Sequence, residues 1–166
     1  MKGESVMEVI KQRRSIRRFK NEPFPMEKLV SFVEAARWAP SAGNSQPWEF
    51  LLINDERMVR ALKSVSPGWL RDAPALIVTC VNKERETNWS CMDIGAAMQN
   101  MLVYAQSMSY GCCPIGSFVV EAIKGLLDLP AGLEPVLLLT VGYPDEEPPT
   151  TTRLSTDELI FKRVGK

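Results

Sequence analysis

Arg13-Arg14-Ser15-Ile16-Arg17-Arg18-Phe19 places four guanidiniums and a hydroxyl within six residues. Guanidinium is a permanently charged, planar, forked donor suited to phosphate and to carbonyl-rich heterocycles. The chain around it is neutral, with 20 basic and 20 acidic side chains among 166 residues. A basic run on a balanced chain points to one compact anionic ligand more than to a long polyanion, which argues against nucleic acid as partner. Taken alone, the run also fits a solvated helix end, where cations offset the C-terminal dipole.

Two further segments have chemical content. Ala39-Pro40-Ser41-Ala42-Gly43-Asn44-Ser45-Gln46-Pro47-Trp48 is a polar loop framed by prolines. Gly111-Cys112-Cys113-Pro114-Ile115-Gly116-Ser117 reads as a rigid turn leading into a helix through Leu127, with Ser117 as its cap. Free backbone N–H groups at such a helix start can face a ligand, and Gly116 would let a planar ring approach the main chain. Arg153 is an isolated cation in the tail.

The chain has no histidine, so Ser-His-Asp and Cys-His nucleophile systems cannot be built from it alone. Cys80, Cys91, Cys112 and Cys113 show no C-x-x-C spacing, and no metal site is expected. Neither G-x-G-x-x-G nor G-x-x-x-x-G-K-[ST] occurs. Redox or group-transfer chemistry would then sit on a bound cofactor. The adjacent Cys112 and Cys113 read as small buried hydrophobes, since vicinal thiols bridge only through strained geometry. With no signal-peptide pattern and no apolar run of spanning length, the expectation is a cytoplasmic protein with reduced thiols and no membrane partner.

The length suits a single domain over residues 1–166. Ser5 and Glu8 form a capping box for a first helix with Val6, Val9 and Ile10 on one face. A second helix starts near Pro25, carries Leu29, Phe32, Val33 and Ala36, and is ended by Pro40. Residues 49–53 read as a buried strand, and Asp55 caps a third helix through Val65. A loop containing Trp69 leads to residues 75–81, a continuous β-rich run of the internal-strand type. Ser90 with Asp93 is read as capping a long helix to about Ser109, apolar over much of its circumference. Residues 135–142 form another strand. The Pro- and Thr-rich tail from Tyr143 ends in Leu159-Ile160-Phe161, which needs apolar cover that a second subunit could supply.

Together these segments closely resemble the nitroreductase family of flavin enzymes. The likeness rests on the Arg run, the block from Ala39 to Trp48, Asp93-Ile94-Gly95-Ala96-Ala97-Met98-Gln99-Asn100, and Cys113-Pro114-Ile115-Gly116-Ser117-Phe118. Their order and approximate spacing agree from the first helix to Arg153. The resemblance implies an α+β fold, with a central, mostly antiparallel sheet flanked by helices. It also implies an intertwined homodimer with FMN at two subunit-interface sites, and a tail, residues 143–166, packed on the partner. Arg13, Arg14 and Ser15 would hold the phosphate and ribityl end, Arg153 would reach the phosphate, and Arg17 would lie near the pyrimidine edge. Pro40, Ser41, Asn44 and Gln46 belong to the loop that would approach the flavin from the partner. Pro114, Ile115, Gly116 and Ser117 would run along the ring, with the Gly116 backbone N–H near N5 and no side-chain acid or base.

The implied activity passes hydride from NADH or NADPH through the flavin to an electron-poor small molecule: a nitroaromatic, a quinone or a flavin. Reductive dehalogenation, flavin fragmentation and a non-catalytic flavin-binding role are the alternatives on the same scaffold. The chain departs from the family in three ways. Many relatives have an acidic residue where Gly116 stands, Thr151 stands where relatives often have a second tail cation, and the chain is short for the family.

Overall fold

The computed structural model describes residues 5–68 and 72–165. The Trp69 loop position lies outside the described residues. The expected capping box opens helix α1 (Val6–Gln12): the Ser5 hydroxyl accepts from Glu8 N, and the Glu8 carboxylate accepts from Ser5 N at 2.8 Å. Of the expected apolar face only Val9 is buried, while Val6, Met7 and Ile10 stay exposed. A seven-residue helix has little stability of its own, so α1 depends on its packing against α4 (Ser90–Ser107). Helix α2 (Met26–Ala36) follows Pro25 and buries Leu29, Phe32 and Ala36, with Val33 half-buried. It stops at Ala36, well before Pro40.

Strand β1 (Trp48–Ile53), helix α3 (Glu56–Ser64) and strand β2 (Ala75–Asn82) come next. Asp55 caps α3 by accepting from Met58 N at 2.8 Å. After α4, β3 (Gly111–Ile115), α5 (Val120–Leu126), β4 (Leu133–Gly142) and the short α6 (Thr156–Leu159) complete the order. The four strands form one antiparallel sheet, β1-β2-β4-β3. No helix among the described residues is long and apolar enough to cross a membrane.

Strand alternation divides the interior in two. Ala75, Ile77 and Val81 of β2, with Leu139 and Val141 of β4, pack with α2 and α4. Leu76, Val78 and Cys80, with Leu138, face the other way, onto Val59 and Leu62 of α3 and Ile123 of α5. β2 and β4 are covered on both faces, which is why they read as continuous apolar runs. Each fully buried Leu, Ile or Val contributes about 1.5–3 kcal/mol.

Several expectations are corrected. Residues 49–53 belong to an edge strand that is mostly half-buried. Residues 111–115 are strand, not turn: Gly111, Cys112 and Cys113 pair with Gly142, Val141 and Thr140. An open β4 edge and a buried apolar face override the weak strand preference of Gly and Pro. Ser117 is not a cap, since α5 begins at Val120 behind Val119. Nor does Ser90 or Asp93 cap α4, whose N-cap position is Trp89. Ser90 Oγ accepts from Thr87 N at 2.8 Å, and Asp93 Oδ1 accepts from Ala42 N at 3.2 Å.

The Arg run leaves α1 as an extended strap across the β3–β4 end. Ile16 N donates to Cys112 O and Lys20 N to Tyr143 O, both at 2.9 Å, and Phe19 bridges to Pro144. Gly111 and Gly142 face each other beneath it. A Cβ on Gly111 would lie 2.8 Å from Ile16 Cγ2, and one on Gly142 2.8 Å from Phe19 Cδ1. Gly111 has no room for a side chain beneath the strap, and Gly142 has none between the strap and Pro74. An aromatic cluster of Phe24, Phe32, Tyr104, Tyr110 and Tyr143 anchors the strap's far end to α2, and Lys28 Nζ donates to Tyr143 Oη at 2.6 Å.

Candidate functional site

The strap brings three of the expected site residues to β3. Ile16 N donates to Cys112 O, which sets its neighbours Ser15 and Arg17 beside this part of the strand. Burial pushes the Cys113 thiol up, and Arg17, Ser15 and Arg13 act on it in the opposite direction. Arg13 acts on Cys112 in the same way. Among the described residues, the guanidiniums of Arg13 and Arg17 make no ion pair and no hydrogen bond. The other two arginines of the run are engaged. Arg14 donates to Lys11 O at 2.7 Å, Arg13 O at 2.9 Å and Thr150 Oγ1 at 2.7 Å, and its buried Nε has no partner. Arg18 Nε donates to Asp145 O at 2.8 Å.

β3 carries Pro114 and Ile115 away from this cationic end to Gly116 and Ser117, both exposed. A Cβ built on Gly116 would meet nothing within 4 Å, so space lies open above the main chain there. Ser117 backs onto the residue 65–68 turn, where Gly68 N donates to Ser117 O at 3.3 Å. The result is an open shelf: Arg13 toward Cys112, Ser15 and Arg17 toward Cys113, and unobstructed backbone at Gly116. An elongated ligand with an anionic tail and a flat head matches it. FMN has that shape and charge, and Arg13, Ser15, Arg17 and Gly116 fit it.

The remaining expected residues are not gathered at this shelf within one chain. Pro40, Ser41, Asn44 and Gln46 precede β1, on the opposite sheet edge from β3. Three strand spacings put those edges roughly 14 Å apart. The loop is a 3-10 turn (Ala42–Asn44) in which Ser41 Oγ accepts from Gln46 N at 3.0 Å. Asp93 ties it to the start of α4, and the Asp93 Oδ2 and Ser45 Oγ atoms are buried without partners. Arg153 also stays off the shelf. The tail passes the Arg run at Thr150, and among the described residues Arg153 then bonds only to Thr151 Oγ1 and Thr152 O.

A family model of the nitroreductase family matches residues 10–71 and 61–143. The chain belongs to the nitroreductase family. Members of this family are oxidoreductases, and this one has the family's fold. A Methanothermobacter thermautotrophicus protein, provisionally named NADH dehydrogenase/NAD(P)H nitroreductase, is 31% identical to it over 95% of this chain and 87% of that protein. The iodotyrosine deiodinase of Thermotoga neapolitana is 26% identical over 88% of this chain and 92% of its own length. A provisionally named nitroreductase from Desulfovibrio desulfuricans, solved in complex with FMN, superposes with a TM-score of 0.85 at 29% identity. That match covers 98% of this chain and 99% of the other.

In this nitroreductase-family chain the cysteines beside the shelf are poor nucleophiles. Burial pushes the Cys112 and Cys80 thiols up to about 12, and Cys112, Cys113 and Cys80 are all free and buried. Alkylation at pH 8 is expected to label exposed Cys91 first and to leave Cys112 and Cys80 intact in the folded chain, as peptide mapping would check. The same shifts set a pH dependence. A thiol whose pKa is raised from about 8.5 on folding stabilises the fold below that pH, and the contribution is lost as pH climbs toward 12. The urea midpoint should therefore fall steadily above about pH 9.

Two residues of this region were not singled out from the sequence. Thr150 receives the Arg14 fork. Glu146 Oε1 accepts from Arg17 N at 2.5 Å and Arg18 N at 2.9 Å. The only signal for Glu146 was the acidic run Asp145-Glu146-Glu147 after the last strand, which nothing in the sequence pairs with the basic run.

The cleft of about 750 Å³ lined by Phe19, Lys20, Glu22, Arg60, Lys63 and Asp72 lies across the strap from the shelf. Its charges are largely self-paired, Lys63 to Asp72 at 2.7 Å and Arg60 to Glu56, so it presents no comparable anion site.

Proposed function

We propose that this chain is an FMN-dependent oxidoreductase that passes hydride from NADH or NADPH to an electron-poor small molecule, such as a nitroaromatic, a quinone or a flavin. The observation that carries this reading is the pair of guanidiniums, Arg13 and Arg17, unpaired among the described residues and set along β3, which leads to open backbone at Gly116. The names of the relatives, nitroreductase and NAD(P)H dehydrogenase among them, support the donor and acceptor classes.

Bound FMN would supply the two-electron chemistry. Everything else falls to the chain. Arg13 and Ser15 hold the phosphate and ribityl end with charged and neutral donors. Arg14 would add its second Nη2 N–H, since its other Nη N–H groups are committed and its unpartnered Nε is buried. Arg17 sets a fixed positive charge at the pyrimidine edge, which favours the electron-rich form of the ring and raises its potential. Pro114, Ile115 and Ser117 would line the ring, and the Gly116 N–H would be the backbone donor to it, with no titrating side chain needed. With no histidine, and both thiols at the shelf buried, the reading assigns no side-chain proton donor, and water would supply protons to the acceptor.

The site is completed by a second copy of the chain in a homodimer. Pro40, Ser41, Asn44 and Gln46 sit on the wrong edge to reach their own shelf, and they serve the partner's instead. The exposed Val6, Met7 and Ile10 of α1 and the uncovered tail supply apolar surface for that contact. The tail carries Arg153 toward the partner's phosphate end. In this reading the chain is one domain, since both cores share β2 and β4, and its free thiols suit a cytoplasmic setting.

The purified protein is expected to be yellow, and anaerobic NADPH or NADH should bleach it. A colourless protein that takes up no added FMN would sink the proposal. Rapid NAD(P)H oxidation on adding a nitroaromatic or quinone excludes a purely binding role. The deiodinase relative makes reductive dehalogenation the second reading, and halide release from an iodinated phenol would favour it.

A further inference from the structure

Glu146 faces two arginines yet pairs with neither guanidinium. Its Oε1 instead takes the backbone N–H groups of Arg17 and Arg18, at 2.5 and 2.9 Å, from a position 128 or more residues away in the chain. Two successive N–H groups on one anionic oxygen form a small anion nest, here filled from within. Those bonds hold the Glu146 carboxyl below the usual carboxylate range, the Arg17 N–H contributing most. Asp145 extends the latch: its N donates to Arg18 O at 2.9 Å, and its own carbonyl takes Arg18 Nε at 2.8 Å. The Arg17 guanidinium is left without a partner, beside Cys113.

The arrangement has a consequence for the strap. Ile16 N is bonded to β3 and Lys20 N to Tyr143, but between these anchors the strap's own N–H groups at 17 and 18 have only Glu146 as acceptor among the described residues. Without it Arg17 could turn, Arg18 being held still by Asp145, and an Arg17 free to turn would be expected to find a carboxylate of the 145–147 acidic run. We propose that Glu146 is a positioning residue: by fixing the Arg17 and Arg18 backbone it holds the Arg17 guanidinium unpaired on the Cys113 side of the β3 shelf. The role rests on the flavin reading above, because a flavin ring edge is what Arg17 would meet there.

The test is a double-mutant cycle on the apoprotein, titrated with FMN and followed by flavin fluorescence. Glu146→Ala should weaken FMN binding at least about tenfold, the size expected when a charge-assisted contact is lost. Glu146→Gln, which keeps an acceptor oxygen, should bind within about threefold of wild type. It should also show a raised flavin midpoint potential, since one negative charge near the ring is gone. Arg17→Gln should cost a similar factor to Glu146→Ala, and adding it to Glu146→Ala should cost little more, because both act through one contact. Amide exchange at residues 17 and 18 in the apoprotein should speed up in Glu146→Ala and not in Glu146→Gln. If Glu146→Ala does not fold, the Arg17→Gln and Glu146→Gln cycle with its potential measurement decides.

Fully additive losses, or unchanged FMN affinity in Glu146→Ala, overturn the role of Glu146 while leaving the flavin reading standing. A wild-type protein that takes up no FMN overturns both.

Discussion

Replacing Arg13 by alanine is expected to weaken FMN binding about 10- to 100-fold, the range for losing hydrogen bonds to a charged group. Arg13 caps the C-terminus of α1, half-buried, and its guanidinium is uncommitted within the chain. Nothing in the fold is broken when it goes, so the urea midpoint should stay within experimental error of wild type. Arg18→Ala is the built-in comparison. That side chain already donates to Asp145 and is exposed, so its loss should change FMN affinity by less than about threefold. Titration of each apoprotein with FMN, followed by flavin fluorescence, separates the two. Equal losses from both variants would mean that the run acts as a diffuse basic patch, not as a set of assigned contacts.

Deleting residues 150–166 should have the larger effect on assembly. Leu154, Leu159, Phe161 and Val164 are exposed within one chain, Phe161 fully so. Removing them from a monomer would cost the Arg14–Thr150 hydrogen bond and little else, about 1 kcal/mol. In the proposed dimer the same residues bury apolar surface on the partner, each contributing about 1.5–3 kcal/mol when fully covered. The truncated chain is therefore expected to run as a monomer in light scattering where the full chain runs as a dimer. It should also fail to retain FMN through gel filtration. A truncated chain that stays dimeric and yellow would show that the tail does not make the interface.

The elements most legible in the sequence were those whose signals are local. Ser5 and Glu8 form the capping box, Asp55 caps α3, and the apolar spacing of Leu29, Phe32 and Ala36 gives α2 its buried face. β2 and β4 were readable because strands covered on both faces become continuous apolar runs. β3 was not. Gly, Cys and Pro have little strand preference, and only the free edge of β4 makes residues 111–115 a strand. Ser90 and Asp93 likewise looked like caps by type and spacing. Their oxygens are instead taken by Thr87 N and Ala42 N, partners that chain geometry alone supplies.

The candidate site divides along the same line. The amino-acid sequence by itself determined the chemistry on offer: four guanidiniums and a hydroxyl in one run, a glycine at 116, no histidine, and so a cofactor-borne reaction. It also carried the family, because four motifs in order are a long-range pattern that survives without coordinates. Only the tertiary structure decided how the run is shared out. Arg14 and Arg18 bind the chain's own carbonyls and Thr150, while the Arg13 and Arg17 guanidiniums have no partner among the described residues. It also put the residue 40–46 loop on the far edge of the sheet from Gly116. The reason is physical: residue type fixes what a side chain can donate. Which donors are already spent depends in part on acceptors brought in from more than a hundred residues away, as Asp145 and Thr150 are.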